Sequence, residues 1–135
     1  IKIPKHSGLL ANSNGDVVLH ALCNAISSAI GQGSLGQYAT PLYKNKKITN
    51  SAEYLKTIFE KAKKKNFKIN NISISIEAKT PKIDKYAEQM KSAISKILKI
   101  KTDEIGITAT TGEGLTAFGK GQGIAVIAIV MLIST

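Results

Sequence analysis

The strongest constraint on the fold is a strict alternation of apolar and polar residues in the middle of the chain. Residues 72–76 alternate isoleucine with serine, a pattern of period two that is typical of a strand with one buried face. It predicts a strand over residues 67–78. Stretches with helical periodicity lie on both sides of this strand. Because helices and strands alternate along the chain, we predict a layered α/β domain of the α+β kind, with helices covering one side of a single sheet.

The remaining elements follow from the same patterns. A first helix is predicted over residues 16–30, where apolar residues recur every three or four positions. Residues 31–50, which contain Pro41, are predicted to form a loop. Ser51 is a good N-cap for a second helix that ends near Asn66. A third helix is predicted over residues 82–98, and further strands over 105–110 and 124–134, with a glycine-rich loop between these two strands.

Length and composition indicate one globular domain over residues 1–135, because 43% of the residues are hydrophobic and the mean hydropathy is 0.00. The apolar run 123–133 is about half the length of a membrane span, so it is predicted to be a buried strand and no membrane association is expected. The single cysteine, Cys23, excludes an internal disulfide. Its place on the apolar side of the first helix favours a buried thiol over a nucleophile.

The net charge of +10 comes entirely from lysine, with 19 lysines and no arginine. A face of this kind attracts polyanions, but nucleic-acid sites usually use arginine forks and aromatic stacking. The chain also has no tryptophan. We therefore favour a solvated lysine face over a nucleic-acid interface and expect no nucleic-acid partner.

A polar cluster at residues 12–16 runs directly into the first helix. Asp16 is the natural N-cap of that helix, and His20 lies four residues later, on the same helical face. Two interpretations of His20 stay open: a structural histidine, which the local pattern favours, or one ligand of a metal. His6 has no visible partner and is predicted to be exposed.

The glycine-rich stretch from Thr110 to Gly114 follows a predicted strand, where α/β proteins usually build their sites. Two threonine hydroxyls, backbone amides beside glycine and the Glu113 carboxylate suit a phosphate held through a divalent metal. Lys120 lies between two glycines, which would let a phosphate approach the backbone. A flexible loop with no such function explains the same residues equally well.

Four motifs, in order, carry a resemblance to a known family: residues 8–22 (GLLANSNGDVVLHAL), 77–82 (EAKTPK), 109–113 (ATTGE) and 119–125 (GKGQGIA). Together they resemble the 2-C-methyl-D-erythritol 2,4-cyclodiphosphate synthase family of non-mevalonate isoprenoid biosynthesis. The resemblance covers nearly the whole chain. It reverses the local preference for a structural histidine at position 20.

The resemblance implies a metal-dependent phosphorus–oxygen lyase. Its substrate is 4-diphosphocytidyl-2-C-methyl-D-erythritol 2-phosphate, whose 2-phosphate attacks its own β-phosphorus, giving the 2,4-cyclodiphosphate and CMP. The implied cofactors are Zn²⁺ or another divalent transition metal, with Mg²⁺ or Mn²⁺. The implied assembly is a homotrimer around a central axis, in which residues 78–84 and 109–120 face residues 11–20 of another copy. The alternative is a catalytically impaired trimer that binds cytidine nucleotides or isoprenoid diphosphates.

The resemblance also implies roles for individual residues. His20 and Glu113 match metal-binding positions, and Thr111 and Asn12 match catalytic ones. The positions that match substrate contacts are Asn12, Ser13, Ser34, Leu35, Gly36, Ala78, Lys79, Thr80, Pro81, Lys82, Ile83, Asp84, Ala109, Thr110, Thr111, Gly112, Glu113 and Lys120.

This sequence departs from the family pattern at several of these positions. Asn12 stands for a histidine, Asn14 and Ser34 each stand for an aspartate, and Lys120 stands for an arginine. The family's Asp-x-His metal motif belongs to an N-terminal strand that would precede Ile1. The enrichment in lysine, asparagine and isoleucine suggests an A/T-rich genome, which leads to an expected location in the stroma of a relict plastid (an apicoplast), with the bacterial cytoplasm as the alternative.

Overall fold

The computed structural model describes residues 1–135. Four helices and three strands follow one another, with two short 3₁₀ turns. The helices are α1 (Val17–Ala29), α2 (Gly36–Lys46), α3 (Ser51–Lys64) and α4 (Ala87–Leu98), the strands are β1 (Phe67–Glu77), β2 (Ile105–Thr110) and β3 (Ala125–Ser134), and the 3₁₀ turns are Asp84–Tyr86 and Thr102–Glu104. This is the predicted α+β domain, with helices packed on one side of one sheet.

The sheet has the strand order β2-β1-β3, so the alternating strand that dominates the sequence lies at its centre. β1 pairs with β2 in parallel and with β3 antiparallel. Ile72, Ile74 and Ile76 are at most 2% exposed and point into the core. Ile69 is buried as well, three positions before Ile72, because an irregularity in the β1–β3 register at Asn70 shifts the alternation there.

Helices α1 and α3 pack against each other and against the sheet. Helix α4 packs against α3 and against β2. The predicted buried face of α3 is confirmed, including Leu55 and Ile58, which are fully buried. The third predicted helix begins later than expected: a 3₁₀ turn comes first, and α4 starts at Ala87. No helix of the structure is both long enough and apolar enough to cross a membrane.

The prediction of a loop over residues 31–50 is wrong, because α2 occupies most of it. Tyr38 and Ala39 are buried and Leu42 packs against the core, so tertiary contacts stabilise a helix that weak local propensity does not indicate. Pro41 lies inside α2 and removes one helical N–H donor, which is why the sequence pattern argued against a helix there. The helix ends at Lys46, and the next residue, Lys47, adopts a left-handed conformation.

The prediction that the last apolar run is a buried strand is half wrong. β3 is a strand, but its side chains alternate between the helix-covered face and an open face of the sheet. Ile127, Ile129 and Met131 are 68%, 66% and 56% exposed on the open face. The sequence alone cannot separate these two faces, because both are apolar.

Candidate active site

The polar cluster before α1 forms a capped helix start. Asp16 is the N-cap, and its side chain accepts a hydrogen bond from the Leu19 N–H at 2.9 Å. Gly15 has a positive φ of 69°, and a Cβ there would lie 2.9 Å from the backbone oxygen of Leu9. The turn therefore needs glycine at this position. It places Ser13 beside the first turns of the helix, within reach of His20.

His20 is half-buried, and its Nε2 atom faces two serine hydroxyls. It lies 2.9 Å from Ser51 Oγ and 3.2 Å from Ser13 Oγ. Burial lowers the pKa of His20, although the negative charge of Asp16 acts in the opposite direction. The imidazole is therefore neutral at neutral pH, which is the form that binds metals.

Ser51 is a site residue that sequence reasoning missed, because it was assigned to the cap of α3. The cap is Asn50, whose side chain accepts a hydrogen bond from the Ala52 N–H at 3.0 Å. Ser51 is instead the first residue of the helix and is fully buried, with its hydroxyl turned to His20 and Asn14. The sequence offered one hint only: Asn50 can also cap a helix, which would leave Ser51 free for another role.

A second group of predicted site residues meets at the carboxyl ends of β1 and β2. Because these strands are parallel, the segments that follow them leave the sheet at the same edge. The Ala78 N–H donates to the Thr110 carbonyl at 3.0 Å, and the Lys79 N–H donates to the Phe118 carbonyl at 3.2 Å. The predicted segments 78–84 and 109–120 therefore lie side by side.

Within segment 78–84 the side chains differ in accessibility. Ala78 and Ile83 are buried, so only their backbone groups are available to a ligand. Pro81 is half-buried. The side chains of Lys79, Thr80, Lys82 and Asp84 are exposed.

The loop after β2 is tightly turned. The Gly112 N–H donates to Thr110 Oγ1 and the Glu113 N–H donates to Thr111 Oγ1, both at 3.3 Å. Glu113 has a positive φ of 52°, which is uncommon for a residue with a side chain and is a form of strain often found at functional sites. Lys120, at the far end of the loop, is exposed.

Gly112 is required where this loop crosses the end of β1. Its φ is 77°, and a Cβ there would lie 2.6 Å from Glu77 Oε1 and 3.0 Å from the Cα of Gly119. Glu77 is therefore a carboxylate at the site that sequence reasoning did not single out. Glu77 is the last residue of β1 and opens the motif at residues 77–82, but nothing in its local pattern indicated a separate role.

The third predicted substrate segment, residues 34–36, leads from a turn into α2, which begins at Gly36. Ser34 and Gly36 are exposed, and Leu35 packs against the core. The Leu35 N–H donates to Asn24 Oδ1 at 2.8 Å, which ties this segment to α1.

A cavity of 840 Å³ opens beside the start of α1. Its wall includes residues 14–19, Pro81 and Ile83, and the side of α4 at Met90 and Ile97. The first turn of α1 and the segment after β1 therefore share one space within a single copy of the chain. His6 also lines this cavity. It is half-buried and accepts a hydrogen bond from the Gly8 N–H at 3.0 Å, so the prediction of an exposed, unpartnered His6 is wrong.

The predicted metal-binding residues do not form a metal centre within one copy. No three or more side chains of His, Cys, Asp or Glu lie together in a way that could hold a metal ion. His20 fits as one ligand, because Nδ1 makes no hydrogen bond while Nε2 is held by the serines. Glu113 fits as a hard oxygen ligand, because its carboxylate is exposed at the tip of its loop.

These features define a class of protein: an α+β domain with a mixed three-stranded sheet, helices on one face, and a polar site of hydroxyls, backbone amides and carboxylates. The model of the YgbB family matches residues 1–133. A Chlamydia trachomatis 2-C-methyl-D-erythritol 2,4-cyclodiphosphate synthase is 45% identical over 117 residues, covering 87% of this chain and 65% of that protein. A Treponema denticola protein of the same name is 39% identical, covering 95% of this chain and 80% of its own length.

Solved structures agree with these matches. The bifunctional IspDF from Campylobacter jejuni has a TM-score of 0.92 and 34% identity, covering all of this chain and 37% of that one. The Plasmodium falciparum IspF CDP complex has a TM-score of 0.81 and 30% identity, covering 93% of this chain and 76% of that one. The chain belongs to the YgbB family. It spans 65% of the length of the Chlamydia relatives that it matches.

Proposed function

We propose that this chain carries the catalytic domain of a 2-C-methyl-D-erythritol 2,4-cyclodiphosphate synthase. The reaction converts 4-diphosphocytidyl-2-C-methyl-D-erythritol 2-phosphate to the 2,4-cyclodiphosphate and CMP. The observation that carries the proposal is the backbone junction between the two substrate segments, at Ala78–Thr110 and Lys79–Phe118. A nucleoside diphosphate needs a base pocket beside a phosphate loop, and this junction supports that arrangement. The names of the curated relatives support the same activity.

The chemistry needs no protein nucleophile. A new bond forms between a 2-phosphate oxygen and the β-phosphorus, and the bond from the β-phosphorus to the bridging oxygen of CMP breaks, with CMP taking the electron pair. Such a reaction depends on in-line positioning and on neutralising charge. The hydroxyls of Thr110 and Thr111 each accept a hydrogen bond from a backbone N–H. Their own hydrogens are thereby left to donate to phosphate oxygens.

The proposed substrate contacts follow the exposed parts of the site. Asn12 and Ser13, before α1, donate to the diphosphate, and Asn12 is proposed as catalytic together with Thr111. Segment 78–84 holds cytosine and ribose, with the buried Ala78 and Ile83 acting through their backbone groups. Residues 34–36 contact the methylerythritol part. Lys120 provides a positive charge for a phosphate, without the bidentate geometry of an arginine.

Two divalent cations are proposed. His20 would be one ligand of Zn²⁺ or another divalent transition metal, and Glu113 would be a ligand of Mg²⁺ or Mn²⁺. Bound metals would polarise the phosphates and neutralise their charge. The neutral state of His20 and the exposed carboxylate of Glu113 support these roles.

We propose a homotrimer with shared active sites. The open face of the sheet supports an assembly, because Ile127, Ile129 and Met131 form an apolar row with no cover within one copy. Within one copy no three His, Cys, Asp or Glu side chains lie together, which agrees with sites completed by another copy. Pro81 and Ile83 share a cavity with residues 14–19 within one copy. It therefore stays a prediction that residues 78–84 and 109–120 face residues 11–20 of a neighbouring copy.

The bacterial cytoplasm is the proposed location. The curated relatives from Chlamydia trachomatis, Treponema denticola and Listeria monocytogenes are bacterial. They support this location and give no support to the expected plastid.

The test is release of CMP from the diphosphocytidyl substrate by the full, metal-loaded protein. We expect release to stop with a chelator and to fall about 100-fold in Glu113→Ala, because charge stabilisation on the phosphates is lost. Glu88→Ala is the matched control, since Glu88 is an exposed carboxylate that pairs only with Lys91 on the surface of α4. Absence of CMP from the metal-loaded protein would contradict the proposed function. So would equal effects of the two substitutions.

A further inference from the structure

A chain of hydrogen bonds runs from the His20 ring to the start of α3. His20 Nε2 lies 2.9 Å from Ser51 Oγ, and Ser51 Oγ lies 2.6 Å from Asn14 Oδ1. Ser51 is 0% exposed, so its hydroxyl has no access to solvent. The hydrogen of the Ser51 hydroxyl must therefore be donated within this network.

The orientations of the two asparagine amides are fixed by backbone donors. The Asp16 N–H donates to Asn14 Oδ1 at 3.3 Å, and the Ala52 N–H donates to Asn50 Oδ1 at 3.0 Å. A backbone N–H can only donate, so both of these atoms must be oxygens. The Asn14 Nδ2 group then donates to Asn50 Oδ1 at 3.4 Å, which agrees with both assignments.

A count of hydrogens gives the direction of the two bonds made by the Ser51 hydroxyl. A serine hydroxyl has one hydrogen, and Asn14 Oδ1 can only accept. The Ser51 hydrogen therefore goes to Asn14, because two oxygens 2.6 Å apart without a hydrogen between them would repel. Ser51 Oγ can then only accept from His20, so the ring carries its hydrogen on Nε2. Ser13 Oγ adds a second oxygen on the same side of the ring, at 3.2 Å.

We propose that Ser51, oriented by Asn14, is a positioning residue that fixes His20 in the Nε2–H tautomer and leaves the Nδ1 lone pair free. In the proposed function this lone pair binds the transition metal. The role of Ser51 in metal binding therefore rests on the proposed function, whereas the tautomer of His20 does not depend on it. A nucleophile–base pair of Ser51 and His20 is excluded. The Ser51 hydroxyl is fully buried and donates to Asn14, away from the ring.

The proposal is tested by nitrogen-15 NMR of the histidine side chains in the metal-free protein. We expect His20 to be protonated on Nε2, with that hydrogen protected from exchange with water. In Ser51→Ala the protection is lost, and the affinity of the full protein for Zn²⁺ falls about tenfold, as is typical when the partner of a metal-binding histidine is removed. Ser51→Thr, which keeps a hydroxyl, restores the protected hydrogen.

Ser27→Ala is the matched control. It removes another buried serine hydroxyl of the site-bearing region, because Ser27 lies on α1 as His20 does. The Ser27 hydroxyl donates to the Gly33 carbonyl and makes no hydrogen bond to His20. It should leave the histidine signals unchanged. Asn14→Ala provides an independent variant at an exposed position, and it should weaken the protection by releasing the Ser51 hydrogen.

A hydrogen on Nδ1 in the unaltered protein would overturn the proposal. The same holds if Ser51→Ala leaves both the exchange rate and the Zn²⁺ affinity unchanged. The NMR measurement uses neither substrate nor metal. A protected Nε2–H together with no CMP release would therefore overturn the proposed function and leave this inference standing.

Discussion

Cys23 shows how strongly a single buried group depends on its surroundings. It is 0% exposed on the inner side of α1, as its position in the helical pattern predicted. Burial raises the pKa of the thiol to about 11 from an ordinary 9.0, and the negative charge of Asp16 adds to this shift. A thiol of this kind is a structural group and not a nucleophile at neutral pH.

The raised pKa predicts a loss of stability in alkali. The folded thiol keeps its proton to a higher pH than the unfolded one, so its contribution is complete below pH 9 and disappears as the pH rises through 11. The expected loss is about 2 kcal/mol, from the size of this shift. Urea unfolding between pH 8 and pH 11 should give a shallower decline in Cys23→Ala than in the unaltered protein.

Burial also raises the pKa of Tyr38, which lies beside Cys23, so the informative quantity is the difference in stability between the two proteins. Ile26→Val is the control, because it shortens another fully buried side chain of α1 without removing a titrating group. It should lower stability equally at all pH values. Parallel curves for Cys23→Ala and the unaltered protein would contradict the prediction.

At the scale of elements, the start of α2 depends on a contact from α1. Leu35 is the N-cap of α2 and has no side-chain cap of its own. The Asn24 side chain supplies an acceptor instead, because its Oδ1 atom accepts a hydrogen bond from the Leu35 N–H at 2.8 Å. The same contact positions residues 34–36, which we propose to meet the substrate. Neighbouring helices thus build a site segment that the local sequence cannot.

Asn24→Ala should therefore destabilise the protein by about 1 kcal/mol, the usual effect of losing a cap at a helix N-terminus. Asn24→Asp keeps an oxygen acceptor and adds a negative charge near the positive end of α2, so it should retain the stability. Urea unfolding of the three proteins measures the difference. Equal losses in Asn24→Ala and Asn24→Asp would show that the acceptor oxygen is not what matters.

At the scale of the whole molecule, the open face of the sheet is the largest unexplained feature of a single copy. The serines at positions 73 and 75 of β1 lie opposite Ile129 and Ile127 of β3. An exposed row of large apolar side chains is uncommon on a protein that works alone. It agrees with an assembly in which sheets from several copies cover one another.

Ile129→Lys should reduce the proposed trimer to a monomer without unfolding it, because the side chain is 66% exposed within one copy but would meet an apolar neighbour in the assembly. Sedimentation or light scattering gives the mass, and circular dichroism reports the fold. Tyr43→Lys, on the surface of α2 and 40% exposed, is the control and should keep the trimer. A monomeric unaltered protein, or a trimeric Ile129→Lys, would contradict the assembly.

The sequence by itself determined the elements with strong periodicity. β1, β2, α1 and α3 lie within a residue or two of their predicted bounds, because their apolar residues repeat at the period of the structure they form. The ordered motifs also identified the family.

Only the tertiary structure decided the rest. α2 exists because Tyr38 and Ala39 bury against other helices, which no local pattern shows. The open face of β3 is apolar, so its sequence could not tell a covered side from an uncovered one. Ser51 reaches His20 across 31 positions of chain, and the direction of its hydrogen bond depends on Asn14. Local sequence sets periodicity and caps, but contacts between distant segments set the chemistry of the site.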